Sequence, residues 1–424
     1  MLNRYQTELM NLFKAICFIV FMATPLTLLS NASADSACDS PLELESVNPK
    51  IKCVSLIDDD LSFPRNLISL NGELWVVDKG TDLFTGGYYK GVLYRYRPSE
   101  NGFTREIVVD ELLDPNDIAH RKNKDGQDWV YVTTSTDVFR LRADLDKVDE
   151  IAQSKQTLVE NIPTYGWHKL IAIEINKHSL WVTVPSASDH CELAGNNNVV
   201  QYPCEEADNS NVNKATSLIR RYDFDDNDQL KSGFVIAARG LRDALTVAVN
   251  PYTDPQKPQL VVADNGWDQI DLNELGLNWQ ESPADELNVI DYISNDQSPK
   301  HYGWPYCYDN GQVTPPYQAH IDSCGAYAKP WLLLPAHTAP LTMIYYQDTV
   351  LVNLHATRPE AGRTIMFKLN PKGLPIGQYE TVIDWAYIDT QGQRGRPLGI
   401  AAGANNELYV TDDWHHRLIK IVLK

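Results

Sequence analysis

Asn71-Gly72-Glu73-Leu74-Trp75-Val76-Val77 joins a turn pair to a short run of aromatic and β-branched residues. Asn-Gly accepts the backbone of a tight hairpin, and the run behind it has the composition of a strand. The unit returns at Trp129-Val130-Tyr131-Val132, His178-Ser179-Leu180-Trp181-Val182, Pro258-Gln259-Leu260-Val261-Val262 and Asn406-Glu407-Leu408-Tyr409-Val410. Another β-like run precedes each one, such as Leu67 to Leu70 or Ile171 to Ile175. Most are followed by a third with a basic or aromatic residue: Leu93-Tyr94-Arg95-Tyr96, Val138-Phe139-Arg140-Leu141, Ile219-Arg220-Arg221-Tyr222, Ile365-Met366-Phe367-Lys368 and Leu418-Ile419-Lys420-Ile421. Only a turn near Asp271 to Leu275 competes as helix. A loose repeat of short strands over most of 424 residues points to an all-β, six-bladed β-propeller with long rim loops, seven blades being the alternative. Residues 191–215 and 276–324 are the long inserts, expected on one rim.

The amino terminus is expected to lie outside the fold. Leu12 to Leu29 is mostly apolar, follows Arg4, contains Lys14 and ends near Ala32-Ser33-Ala34, a small-x-small pattern. This reads as a secretory signal over residues 1–34, with an uncleaved anchor as the alternative. Residues 35–60 form an N-terminal segment with a disulfide, and 61–424 a single propeller domain. Cleavage removes two cations, Arg4 and Lys14, and one anion, Glu8, taking the net charge from −19 to −20. Such acidity excludes nucleic acid and anionic membrane surfaces as partners, and no later segment is apolar enough to span a bilayer. A periplasmic or secreted chain is expected. Cys17 falls in the leader; Cys38 and Cys53, Cys191 and Cys204, and Cys307 and Cys324 form close couples, with neighbour pairing the simplest connectivity. The absence of Cys-x-x-Cys and of histidines at ligand spacing argues against zinc.

One tract carries most of the chemistry: Gly240-Leu241-Arg242-Asp243, Asp264-Asn265-Gly266-Trp267, Asp285-Glu286-Leu287-Asn288 and His301-Tyr302-Gly303-Trp304-Pro305-Tyr306-Cys307. With Pro335-Ala336-His337-Thr338-Ala339-Pro340-Leu341, Gly395-Arg396-Pro397-Leu398-Gly399-Ile400, Asp412-Asp413, Tyr165-Gly166-Trp167-His168-Lys169 and Asp189-His190-Cys191-Glu192, it resembles the soluble quinoprotein glucose and sorbosone dehydrogenase family from about Pro64 to Lys424. That resemblance implies a six-bladed propeller holding pyrroloquinoline quinone (PQQ) and calcium.

A dehydrogenase of this kind needs a base, a cation clamp and a hard metal ion. His168 stands before the strand-like run Leu170 to Ile175 and is the candidate base, against the alternative of a loop hydrogen bond. In the family the catalytic histidine is followed by glycine, whereas here Gly166 precedes it. Arg242 and Arg396 match the family's cofactor-contacting arginines, and a planar, permanently charged fork suits carboxylates. Arg358, Arg394 and Arg65 are further rim candidates, and structural salt bridges are the alternative for all five. Calcium takes oxygen ligands: the resemblance points to the carbonyls of Gly266 and Trp267, and Asp285 and Glu286 are candidates for a second, structural site. Trp267 and Trp304 are candidates to stack on the cofactor.

Two departures stand out. Asp243 replaces the family's asparagine, and would either repel the anionic cofactor or bind a cation. His355-Ala356-Thr357-Arg358-Pro359 replaces a longer stretch with a tryptophan. The expected function is oxidation of a sugar or polyol hydroxyl with electrons passed to an external acceptor, since no Cys-x-x-Cys-His haem motif is present. The alternatives are a calcium-dependent lactonase or esterase recruiting Asn116, Asp243 and Asp413, or a non-catalytic propeller binding glycan or protein.

Overall fold

At Asn71 and Gly72 both φ values are positive (54° and 86°), the backbone a two-residue hairpin demands between paired Leu70 and Glu73. The strand that follows, Glu73–Asp78, buries Leu74, Trp75, Val76 and Val77 completely. Its counterparts Asp128–Thr133, Ser179–Val184 and Leu260–Asp264 are buried at every position. Such strands are covered on both faces, which is why they read as continuous apolar runs rather than alternating ones.

The computed structural model describes residues 51–80, 90–100, 102–193, 196–208, 211–268, 281–356, 358, 360–385 and 394–424. Blade 1 consists of Pro64–Leu70, Glu73–Asp78, Lys90–Ser99 and Gly102–Leu113; blade 2 of Ile118–Lys122, Asp128–Thr133, Val138–Arg142 and Gln156–Val159. Blade 3 takes Ile173–Ile175, Ser179–Val184, Leu218–Asp223 and Val235–Arg239, with Lys300–His301 added in parallel at its edge. Blade 4 takes Thr246–Val249, Leu260–Asp264, Ala284–Ile290 and Leu332–Ala336, and blade 5 Pro340–Tyr346, Thr349–Leu354, Arg363–Leu369 and Pro375–Asp384. In blade 6, Pro397–Ala402, Glu407–Asp412 and Arg417–Leu423 are completed by Ile51–Asp58, which pairs antiparallel with Arg417–Leu423. A strand from the beginning of the described chain thus fastens the last blade, and the innermost strands pack in a closed ring, 1 to 2 through 6 back to 1. The expected six-bladed propeller is what the chain forms.

Cys191 is bonded to Cys204 and Cys307 to Cys324. Cys53 is also in a disulfide, and Cys38 lies outside the described residues. So do the expected signal over residues 1–34 and the turn near Asp271 to Leu275. Cys191, Cys204 and Glu206 lie within metal-ligand reach of one another, but the sulfurs are spent on their own bond. Among the described residues no helix is long and apolar enough to cross a membrane.

A central channel of about 320 Å³ is lined by all six inner strands and holds Asp117 and Glu174. Burial pushes Asp117 up to about 7 from its ordinary 3.8, and burial plus the neighbouring Asp117 pushes Glu174 up to about 8 from 4.5. The folded chain therefore keeps protons that the unfolded chain releases near pH 4. The stability these two groups contribute is full below that pH and falls as pH rises towards 8. Melting curves between pH 5 and 8 should show this decline, and Glu174→Gln should flatten it; an unchanged slope in the variant would refute the assignment.

Candidate functional site

The sequence-selected residues gather at one rim, where the chain enters the inner strands: Arg65 at the start of blade 1, Asn116 before blade 2, His168 before blade 3, Arg242 and Asp243 before blade 4, Thr338 and Ala339 before blade 5, Arg396 before blade 6. Beneath them Leu170, Leu245, Ala339, Leu341 and Leu398 pack together.

Two cations meet over blades 1 and 6. Arg65 donates to Asn116 Oδ1 through Nε (3.0 Å) and Nη2 (2.7 Å), and Asn116 Nδ2 donates to Ile171 O at 2.9 Å. Arg396 lies 3.2 Å from Asp413 Oδ1, its Nη2 is 2.9 Å from His355 Nε2, and its guanidinium lies over the Trp414 ring at 5.6 Å. His355 Nε2 is in turn 2.8 Å from Asp413 Oδ2. Burial alone would raise the Asp413 carboxyl, but His355, Arg396 and Arg65 hold it below its ordinary value. Burial lowers Arg65 to about 10 against the pull of Asp413, so Arg65 stays charged at neutral pH.

Arg242 is placed differently. It is buried, its Nη2 donates to Asp189 Oδ1 (2.5 Å) and Asp268 Oδ2 (3.2 Å), its Nε to Asp189 O (3.0 Å) and its Nη1 to Asn265 O (3.3 Å). Burial opposes its charge, yet Asp189, Asp268 and Asp243 raise its pKa further, and Asp189 is lowered in return by Arg242 and His190 against its own burial. The guanidinium sews the Asp189 loop to the Asp264–Asp268 loop. Of the other candidates, Arg394 is ion-paired to Asp384 and half-buried Arg358 points Nη1 at Ala336 O (3.5 Å).

Asp264 accepts from the backbone N–H of Arg242 (2.9 Å) and Asp243 (2.8 Å), fixing one motif against the next. Asn265 Nδ2 donates to Asp243 O at 3.0 Å. Asp243 Oδ1 and Asn265 Oδ1 are both buried and accept no hydrogen bond from the described residues. Neighbouring oxygens left without donors suit a hard cation, and the Asp243 carboxylate is near enough to act on the Arg65 charge.

Asp285 and Glu286 do not share one site, because successive strand residues face opposite ways. Asp285, 1 % exposed, accepts from Gly266 N (2.9 Å) through Oδ1 and from Thr338 N (2.6 Å), Thr338 Oγ1 (3.0 Å) and Ala339 N (2.9 Å) through Oδ2. It staples the glycine loop to the entrance of blade 5. Glu286 instead lines a cavity of about 20 Å³ with Asp264 and Arg242, room for one water or ion. Burial, with Asp264, Asp309 and Asp285 nearby, raises its pKa well above the ordinary value. The rings of Trp267 and Trp304 are sealed in the loops, 2 % and 4 % exposed: Trp267 packs edge-on against Tyr308 at 5.5 Å, and Trp304 Nε1 donates to Asp189 O at 2.9 Å. What Trp267 offers a ligand is therefore its backbone.

His168 is half-buried and precedes the strand proper, which begins at Ile173. Its Nδ1 lies 3.0 Å from both the carbonyl O and Oγ of Ser186. A carbonyl only accepts, so Nδ1 carries the hydrogen and neutral His168 keeps its lone pair on Nε2. The glycine before the histidine has a purpose: Gly166 sits at φ 88°, and a Cβ there would lie 2.0 Å from Ala187 O. Trp167 N–H donates to that same oxygen at 2.8 Å. Gly166→Ala should therefore displace the histidine loop, costing more than about 1 kcal/mol of stability; chemical denaturation would measure it, and wild-type stability would refute the tight approach. Ser186, 18 residues downstream of His168, left no recognisable signal in the sequence, whereas Asp189 and Asp413 stood in quoted motifs without an assigned partner.

The six blades thus bring two arginines, a tautomer-fixed histidine and unsaturated oxygens to one mouth. The chain belongs to the TrAA12-like family, whose model matches residues 52–423. Its fold is similar to that of the carbohydrate-active enzyme of family AA12 from Trichoderma reesei, in a calcium structure (TM-score 0.70, 17 % identity, 91 % of this chain and 100 % of that one). It is also similar to the PQQ domain of pyranose dehydrogenase from Coprinopsis cinerea in its holo form (TM-score 0.64, 17 % identity, 91 % and 98 %). The soluble aldose sugar dehydrogenase of Escherichia coli shares the fold at TM-score 0.55 and 14 % identity, over 88 % and 99 %. No curated protein matches the chain in sequence.

Proposed function

We propose that the chain is a sugar oxidoreductase, a periplasmic or secreted PQQ- and calcium-dependent dehydrogenase that oxidises a hydroxyl-bearing carbon of a sugar or polyol and passes the electrons to an external acceptor. Family membership supports the sugar oxidoreductase, and the disulfides Cys191–Cys204 and Cys307–Cys324 support an oxidising compartment. One observation carries the cofactor reading. The buried, unpartnered oxygens of Asp243 and Asn265 lie at the same mouth as the Arg65 and Arg396 charges, so a cation and an anion are both provided for.

Arg396 and Arg65 would hold the carboxylates of PQQ, with Arg358 at the edge of the mouth. Arg242 would serve through the loops it sews together. Asp243 Oδ1, Asn265 Oδ1 and the carbonyls of Gly266 and Trp267 would hold calcium, Asp285 fixing Gly266 in place. Glu286, with Asp264, would hold a second, structural ion. When bound, PQQ would supply a hydride acceptor and calcium a Lewis acid beside it. His168 Nε2 takes the proton of the substrate hydroxyl, and Ser186 O stabilises the imidazolium through Nδ1–H. The lactonase reading loses support because Asn116 Oδ1 is taken by Arg65 and Asp413 by His355 and Arg396, not left open for a central ion.

Reconstitution of the metal-free protein with PQQ and calcium should give the bound-cofactor absorbance and sugar-dependent dye reduction, both lost with chelator. Asp243→Ala should weaken calcium retention by at least about tenfold. Absence of PQQ binding at micromolar cofactor, or unaltered calcium affinity in the variant, would remove this reading.

A further inference from the structure

A cleft of about 1070 Å³ opens between blades 4 and 5 and the added edge strand Lys300–His301 of blade 3. It lies where residues 370–374 join two strands of blade 5, beside Gln259 and Asp291 at the strand ends of blade 4. Trp331 stands in it with 42 % of its surface exposed, although both of its donors are tied. Its Nε1 donates to Pro375 O at 2.7 Å and its backbone N–H to Leu287 O at 2.8 Å. The ring is thus held rigidly across two blades with part of its surface left open. Tyr327 lines the same cleft and packs edge-on against His301 at 5.0 Å.

The facing wall is polar and preorganised. Asp291 is held by Gln259 Nε2 at 2.8 Å and Lys300 Nζ at 2.9 Å, which lower its pKa so that it stays ionised. Lys329 and Lys372 are exposed on the same lining. The cleft is therefore lined by three ammonium groups and one carboxylate, in a chain whose formal net charge is −19. A local excess of positive charge on so acidic a protein selects an anion. A fixed indole and tyrosine in a concave site, ringed by hydrogen-bonding groups, suit a ring with an apolar face and a polar edge.

We infer that this cleft binds an acidic saccharide chain, carrying uronate or sulfate groups, at a site separate from the rim. The choice of a saccharide over an acidic peptide rests on the sugar-oxidoreductase reading; the aromatic and cationic lining does not. Binding is therefore measured on the cofactor-free full chain, so that failure of the quinone reading leaves this test intact.

Calorimetry at low salt with a hexamer of galacturonate, a sulfated hexamer, a neutral glucose hexamer and hexaglutamate separates the outcomes. One or both acidic saccharides should bind, identifying the anion, and the neutral hexamer at least about tenfold more weakly. Trp331→Ala should abolish binding. Because Trp331 also ties two blades together, the exposed double variant Lys300→Glu/Lys372→Glu is the independent reading, and it should weaken binding by about tenfold or more without altering turnover of a small sugar at the rim. No binding up to about 1 mM, equal binding of the neutral hexamer, equal or tighter binding of hexaglutamate, or an unchanged double variant would each overturn the inference.

Discussion

Replacing His168 with Ala is expected to lower turnover of the cofactor-loaded protein by about 10²- to 10⁴-fold, the usual worth of a positioned general base. PQQ and calcium binding, read from the cofactor absorbance, should persist, because neither ring nitrogen contacts the arginines or the oxygens around Asp243. The geometry makes a second demand. If Ser186 O fixes the tautomer that leaves Nε2 basic, wild-type turnover should depend on pH through a limb that vanishes in the variant. His355 is the rival, since it touches Asp413 and Arg396 at the same mouth. Burial lowers its pKa, and its Nε2 is already shared between those two partners, which leaves it poorly placed to take a substrate proton. Near-normal turnover in His168→Ala, with loss in His355→Ala, would transfer the role of base.

The blades were legible because their second strands are buried on both faces, so Leu74 to Val77 and Leu260 to Ala263 announce themselves as apolar runs between turns. The closing strand Ile51–Asp58 was not, because its pairing with Arg417–Leu423 spans the whole ring and leaves no local signal. Nor was Lys300–His301, a two-residue parallel addition to blade 3. At the site the motifs named residues that the fold gathers at one rim, but not their partners. Arg242 was visible beside its glycine, while the carboxylate that engages it, Asp189, stands 53 residues upstream. The division between Asp285 and Glu286 was not legible, because the strand Ala284–Ile290 falls inside the stretch 276–324 read as a rim insert, and its Asp, Glu and Asn disguise it. Asp243 looked ambiguous in one dimension because its chemistry depends on Asn265, which lies beside it only after folding.

Arg242→Ala is expected to destabilise the cofactor-free protein by about 3–5 kcal/mol, the cost of removing one partner from a buried ion pair. Asp189, 1 % exposed, would lose its guanidinium and keep only His190 Nδ1 and the Asp268 N–H, each at 2.8 Å, and the loop holding Asn265 and Asp268 would lose its fastening. Arg242→Lys should not rescue this, because one ammonium cannot reach Asp189, Asp268 and Asn265 O in the spread that a guanidinium fork allows. Adding Asp189→Asn to Arg242→Ala should recover part of the loss by removing a buried charge that has lost its guanidinium, and urea denaturation of the four proteins closes the cycle. The measurement also separates two roles for this arginine. An Arg242 that serves only to grip the cofactor would leave the cofactor-free protein as stable as wild type and reduce PQQ affinity alone. An Arg242 that builds the mouth, as its three partners indicate, weakens the fold first and loses calcium and PQQ together, because Asp243 and Asn265 are positioned by the same pair of loops.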